Sequence, residues 1–147
     1  MNSSLYKKHF IMFIVMVIIG MLFNPMNILA YSFSDLYISQ TLFYGGLLMA
    51  SNMIWAHEIV HYLSMEHFNI SVFSIGIMFS ICVSIILRQQ LLVDDKQWLR
   101  RMISHHSTAL TTSHKIYNKT TNSELKNLAR EIIITQEREI RLMKSML

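Results

Sequence analysis

The stretch DDKQWLRRMISHHSTALTTSHKIY, residues 94–117, decides how the second half of this 147-residue chain folds. Asp94 is placed to cap a helix that should run from about Asp95 to Lys119. On it Met102, His105 and His106 stand at i, i+3 and i+4 and so project toward one side. Ala109, one turn on, leaves room for a close neighbour, and Thr112 and Ser113 continue that face with small polar groups. His114 falls off the face and is expected to be exposed.

After the short polar turn NKTTN, residues 118–122, a second helix begins near Ser123, with Ser123 or Asn122 as its cap. Leu128, Ile132, Gln136, Glu139, Met143 and Met146 form its expected inward stripe, apolar except for Gln136 and Glu139. Folded as an antiparallel αα-hairpin over 93–147, the two helices bring Met102, His105 and His106 toward Glu139 and Met143. Those five residues are candidate metal ligands, with Gln136 as support. The competing expectation is that polar groups on an inward face need partners, so that the histidines hydrogen-bond Glu139 and Gln136 and fix the hairpin without metal. About 55 residues bury little core alone, so the hairpin must pack on other helices or on another copy.

Upstream the composition changes. Hydrophobic residues make up 52% of the chain and charged residues 15%, too apolar for an ordinary soluble domain. Residues 10–34, 36–56 and 68–87 contain no Asp, Glu, Lys or Arg. Each is long enough to cross a bilayer core as a helix. The expected architecture is all-α: a three-helix transmembrane region over 1–92, with helices at about 10–31, 36–60 and 68–90, and then the hairpin. Lys7 and Lys8 before the first apolar run also resemble a signal peptide, with a cleavage cue at Ala30, but the long apolar core favours an uncleaved anchor. Asn24-Pro25 should bend or end that helix. Cys82 is alone and reads as a small buried filler.

Residues 88–147 hold 11 of the 13 Lys and Arg and six of the nine acidic residues. The two signs alternate along helix faces, which excludes a nucleic-acid surface; basic residues beside a bilayer suit anionic lipid instead. The basic residues flanking the spans leave the side of the hairpin open.

A second chemical feature is WAHEIVHYL, residues 55–63, which contains the HExxH spelling of zinc peptidases. His57 and His61 share a helix face, and Glu58 would be the base. A peptidase also needs a third ligand. Glu66 and His67 follow too closely to form a separate helix, and nothing ties Asp35, Asp94 or Asp95 to the site. In a wider frame Met49, Met53, His57, His61 and Met65 recur every fourth residue. Met53, His57, His61 and Met65 are a second candidate metal patch, a soft donor set suited to copper more than zinc, against ordinary packing and membrane-edge anchoring.

MISHHSTAL (102–110) followed by LAREIIITQEREIRLMKSML (128–147) resembles the DUF305 family. Met102, Ile103, His105, His106 and Ala109 match its first helix; Ala129, Ile132, Ile133, Gln136, Glu139, Ile140 and Met143 match its second. The resemblance covers roughly 94–147 and, with the membrane leader, is similar to a membrane-bound branch. It implies ferritin-like helices, a place in the bacterial inner membrane with a periplasmic hairpin, and copper binding or tolerance. Met102, His105, His106 and Met143 would be the ligands, with Glu139 and Gln136 supporting. Many soluble members have methionine where this chain has Thr112.

Three functions therefore stand side by side: a membrane-anchored copper-binding protein, a structural or interaction module with a His–Glu network, and an HExxH metallopeptidase. No nucleophile–base pair, phosphate loop or cofactor fingerprint is present, so a non-enzymatic protein is expected. Homo-oligomerisation is expected through the hairpin, because four helices bury such stripes better than two. Gly45, Gly46 and Ala50 would allow close helix contact in the membrane region.

Overall fold

Four of the described helices begin where a capping side chain stands. A computed structural model describes residues 3–65 and 67–147, with side chains from Tyr6 onward; Glu66 lies outside the described residues. The described chain is all helical: α1 (Ser3–Leu22), α2 (Pro25–Ile28), α3 (Gln40–Met65), α4 (Ile70–Arg88), α5 (Asp95–Lys119) and α6 (Ser123–Ser145), with a 3-10 turn at Phe33–Asp35. The Asn24 side chain accepts from the N–H groups of Met26 and Asn27, and Pro25 takes the first helical position of α2. This ends α1 at Leu22, short of the expected residue 31. Asn69 caps α4, Asp94 caps α5 and Asn122 caps α6 in the same way. The chain divides into two compact units, one of residues 1–22 and 41–92, the other of 23–40 and 93–147.

Among the described residues two apolar segments are long enough to cross a membrane: Tyr6–Ile28, of which residues 6–22 belong to the first unit, and Ile70–Arg88, which lies wholly within it. Only 11% of the first and 22% of the second is covered by protein, whereas the core helix of a soluble protein would be mostly covered. Apolar side chains left outward at this density suit a lipid environment. Cys82 is among the outward residues, contrary to expectation. The α3 helix is 26 residues long, yet its last turns carry Asn52, His57, Glu58 and His61.

Small residues set the approach of α1 to α3. A Cβ added at Gly46 would lie 2.8 Å from the Val17 carbonyl oxygen and 2.9 Å from Met21 Cγ. Gly20 faces Gly46 at similar range, and Ala50, one turn on, is fully covered. On the other side Gly76 of α4 sits against Trp55 of α3. Phe13 and Phe79 meet at 5.7 Å between α1 and α4. Ser80 and Ser84 return their hydroxyl protons to carbonyls one turn back, so α4 exposes little unpaired polarity.

In the second unit α5 and α6 pack around Leu99, Ile103, Leu110, Ile140 and Met143, with Tyr37, Met102 and Ile133 at the margin. Near the turn the Lys126 amine lies over the Tyr117 ring. The covered residues of α6 are Ala129, Ile140 and Met143, so its inward stripe is rotated from the expected one: Leu128 and Met146 are exposed. The spacing 129, 133, 136, 140, 143 keeps a narrow seam against a single partner helix.

Residues 23–40 lie against α5 through a set of hydroxyls. Ser107 donates to the Asp35 carboxylate at 2.6 Å and accepts from the Tyr31 N–H at 2.9 Å. Ser104 donates to the Asp35 carbonyl at 2.8 Å and accepts from the Tyr37 N–H. Lys144 of α6 reaches the other Asp35 oxygen at 2.6 Å, and Asp35 itself is 4% exposed. His114 is held too, stacked on Tyr31 at 5.0 Å rather than exposed.

Two outcomes follow. Gly46→Ala should lower unfolding stability in detergent by about 1–3 kcal/mol, because the new methyl meets a backbone oxygen. Gly45→Ala should not, since nothing lies within 4 Å of its added Cβ. Asp35→Ala and Lys144→Ala should each cost about 2–4 kcal/mol by stranding the partner charge, and the double variant should cost less than the two together. Chemical unfolding of the full chain for all four backgrounds measures the coupling.

Candidate metal centre

Among the described residues Glu58 is, with Asp35, an acid placed inside the protein, 4% exposed on α3. A carboxylate taken out of water needs hydrogen bonds and a cation. Its Oε2 accepts the backbone N–H of Asn69 at 3.1 Å, the residue that caps α4. Its Oε1 lies 3.7 Å from His9 Nε2 and 4.0 Å from His57 Nδ1. His9 comes from the first turns of α1, and its ring meets His57 edge-on at 5.5 Å. His57 Nδ1 is buried with no hydrogen-bond partner among the described residues. One donor atom from each of His9, His57 and Glu58 lies within 4.8 Å of the others, an arrangement consistent with a metal site. A cavity of about 140 Å³ adjoins it, lined by Lys8, His9, Met12 and His57.

The expected patch on α3 is thus only partly assembled. His57 belongs to the cluster, while His61 turns to the His67 carbonyl at 3.0 Å. Met53 and Met65 are exposed. Glu58 faces His9 rather than standing free as the base of an HExxH pair.

The candidate residues of α5 and α6 are placed differently. His106 is bound at both nitrogens, Nδ1 to the Met102 carbonyl at 2.8 Å and Nε2 to Glu139 at 3.0 Å. Both ring nitrogens are therefore already engaged. Met143 is buried in the core and Met102 lies at its margin. His105 is exposed, its ring 6.0 Å from that of His106. Partial burial, then the charges of His106 and Arg101, hold its pKa below the ordinary imidazole value. Gln136 is half-buried on α6. His106 and Glu139 therefore meet side chain to side chain, Met102 reaches His106 only through its backbone carbonyl, and His105 and Met143 point to solvent and core respectively.

His9 was not legible as a ligand. Its one signal is position, a polar ring directly after Lys7-Lys8 where an apolar helix begins.

Residues 87–147, the end of α4 with α5 and α6, match the family described as a domain of unknown function, DUF305. The chain belongs to the DUF305 family. It is also 36% identical over 149 residues to uncharacterized protein L153 of Acanthamoeba polyphaga mimivirus, covering 100% of this chain and 93% of that relative. The similarity to L153 thus extends through the apolar helices, of which the DUF305 match includes only the last residues of α4. No solved structure matches this chain.

The lowered His105 pKa has a thermodynamic sign. Between that value and the ordinary one the unfolded chain binds more protons than the folded DUF305 protein, so stability falls as pH drops through this window. Thermal unfolding should show a smaller loss on acidification for His105→Gln than for the natural chain. The difference should be small, because the ring is exposed.

Proposed function

We propose that this DUF305 protein is a membrane-anchored metal-binding protein whose ion is held by His9, His57 and Glu58, with copper the preferred metal. The observation that carries the reading is the convergence of two imidazoles and a buried carboxylate from α1 and α3 within 4.8 Å. Ligand bonds of about 2.0–2.2 Å place donors roughly 3.4 Å apart, so the 3.7 and 4.0 Å separations need only small side-chain movements. The ion would supply the positive charge that Oε1 of Glu58 faces, and the Asn69 N–H on Oε2 would fix that ligand's orientation. Met12 beside the cluster adds a thioether, which favours copper over zinc.

Around this site we place three spans, α1, α3 and α4, followed by an antiparallel, ferritin-like hairpin of α5 and α6. The length of α3 supports the third span. Exposed Leu125, Leu128 and Leu142 on α6 support a homo-oligomer through the hairpin. A bacterial inner membrane with a periplasmic hairpin has only the family resemblance behind it, and the relative matched along the whole chain is a mimivirus protein.

A second reading rests on the His106–Glu139 bond of 3.0 Å. In it Met102, His105, His106, Glu139 and Met143, with Gln136, stabilise the hairpin as a polar network. As a copper site the same residues would require His106 to exchange Glu139 for the ion.

Metal content and Cu(I) affinity of the detergent-purified full chain separate the two. The natural chain should retain one copper, with zinc bound more weakly. His57→Ala or Glu58→Gln should weaken it by more than about tenfold, the least that losing even a ligand's hydrogen-bond partner costs. Joint replacement of His105 and His106 by Ala should leave copper bound and lower the melting temperature. Copper lost with the hairpin pair and kept without His57 would move the site to the hairpin; no retained metal would end the proposal.

A further inference from the structure

The cluster at Glu58 does not end at His57. The His57 ring stacks with that of His61, centroids 6.1 Å apart and planes within 18°. His61 in turn meets His67 edge-on at 5.7 Å. With the 5.5 Å step from His9 to His57, four of the seven histidines form one string. It starts beside a buried carboxylate and finishes at an exposed ring, with His9, His57 and His61 half-covered between.

We propose that His67 and His61 are the capture and transfer route by which a metal ion reaches the His9/His57/Glu58 site. This rests on the proposed site, and goes beyond it by making the protein one that takes up its ion along a defined path.

The hydrogen bond of His61 selects metal over other uses of the string. Its Nδ1 lies 3.0 Å from the His67 carbonyl oxygen, which can only accept. Nδ1 therefore carries the hydrogen, and the lone pair is left on Nε2. An imidazole that donates one nitrogen to a backbone carbonyl and presents the other is the usual form of a histidine ligand. A proton relay would instead need the ring to pass a proton from one nitrogen to the other, which this bond opposes. The same bond ties the last turn of α3 to the residues before α4, and Asn69, two positions after His67, binds Glu58. The outer and inner ends of the route are thus held by one short connection.

Each step is a ligand exchange. The ion gains the next imidazole nitrogen before it releases the previous one, with no change of oxidation state and no proton required of a neutral ring. At the inner end it exchanges His61 for His57, then gains His9 and Glu58. Ring centres 5.5–6.1 Å apart make each imidazole the neighbour of the next, and each exchange would need the two side chains to turn toward a shared ion.

The test follows Cu(I) transfer from its coloured bicinchoninate complex to the detergent-purified full chain by stopped-flow absorbance, with an equilibrium titration beside it. His67→Ala and His61→Gln should each slow loading at least tenfold. Both should keep the stoichiometry of the natural chain and an affinity within twofold of it. His67 is exposed, so its variant tests the route even where His61→Gln disturbs the helix end. Unchanged loading rates in both variants, with the natural chain binding copper, would overturn the route and leave the site standing. An affinity loss as large as the rate loss would make these histidines ligands of the site and also overturn the route. A natural chain that takes up no copper would overturn site and route together.

Discussion

The carboxylate of Asp35 sits 4% exposed between a loop and two helices, and the second unit is arranged around satisfying it. An isolated buried charge would be costly enough to unfold a small domain. Here Ser107 donates to one oxygen, Lys144 reaches the other, and Ser104 takes the backbone carbonyl of the same residue. One acid therefore couples residues 23–40 to α5 and to the end of α6. The serines that flank His105 and His106 have a structural task independent of any ligand.

Glu58 is the counterpart in the first unit, equally buried but differently completed. Asp35 has a lysine; Glu58 has two imidazoles and a backbone amide. A lysine closes the electrostatic balance permanently, with a strongly hydrated point charge on a flexible stem. Imidazoles can give up their protons and turn lone pairs toward an ion. The difference in partner makes one acid a fastening and the other a candidate ligand. It also explains why HExxH is misleading here: Glu58 is drawn inward by Asn69 and His9, and His61 is turned outward by the His67 carbonyl.

In α5 the MISHH motif holds two chemistries on adjacent faces. Leu99, Ile103 and Leu110 enter the core with Ile140 and Met143, while Ser104 and Ser107 face the 23–40 segment. His106 lies between helices and is already hydrogen-bonded at both nitrogens, whereas His105 is left outside. Met143 contributes its volume to packing, a common use of a flexible thioether.

The amino-acid order by itself determined that the chain is helical and where α5 and α6 are capped, but not the ends of the apolar helices, since α1 stops at Leu22 and α3 runs from Gln40 to Met65. Long apolar runs, the Asn24-Pro25 break and the caps at Asp94 and Asn122 act over one or two turns, so local chemistry was sufficient. The family was legible for the same reason, since its motifs lie within two helices. The tertiary structure alone decided which polar residues meet. Asp35 and Lys144 are far apart in the chain, as are His9 and Glu58, and no periodicity relates members of different helices. The rotation of α6 that exposes Leu128 and Met146 was likewise settled by the surface it packs on. Burial then distinguished the two acids, because the cost of an unpartnered charge is felt only once the chain has closed around it.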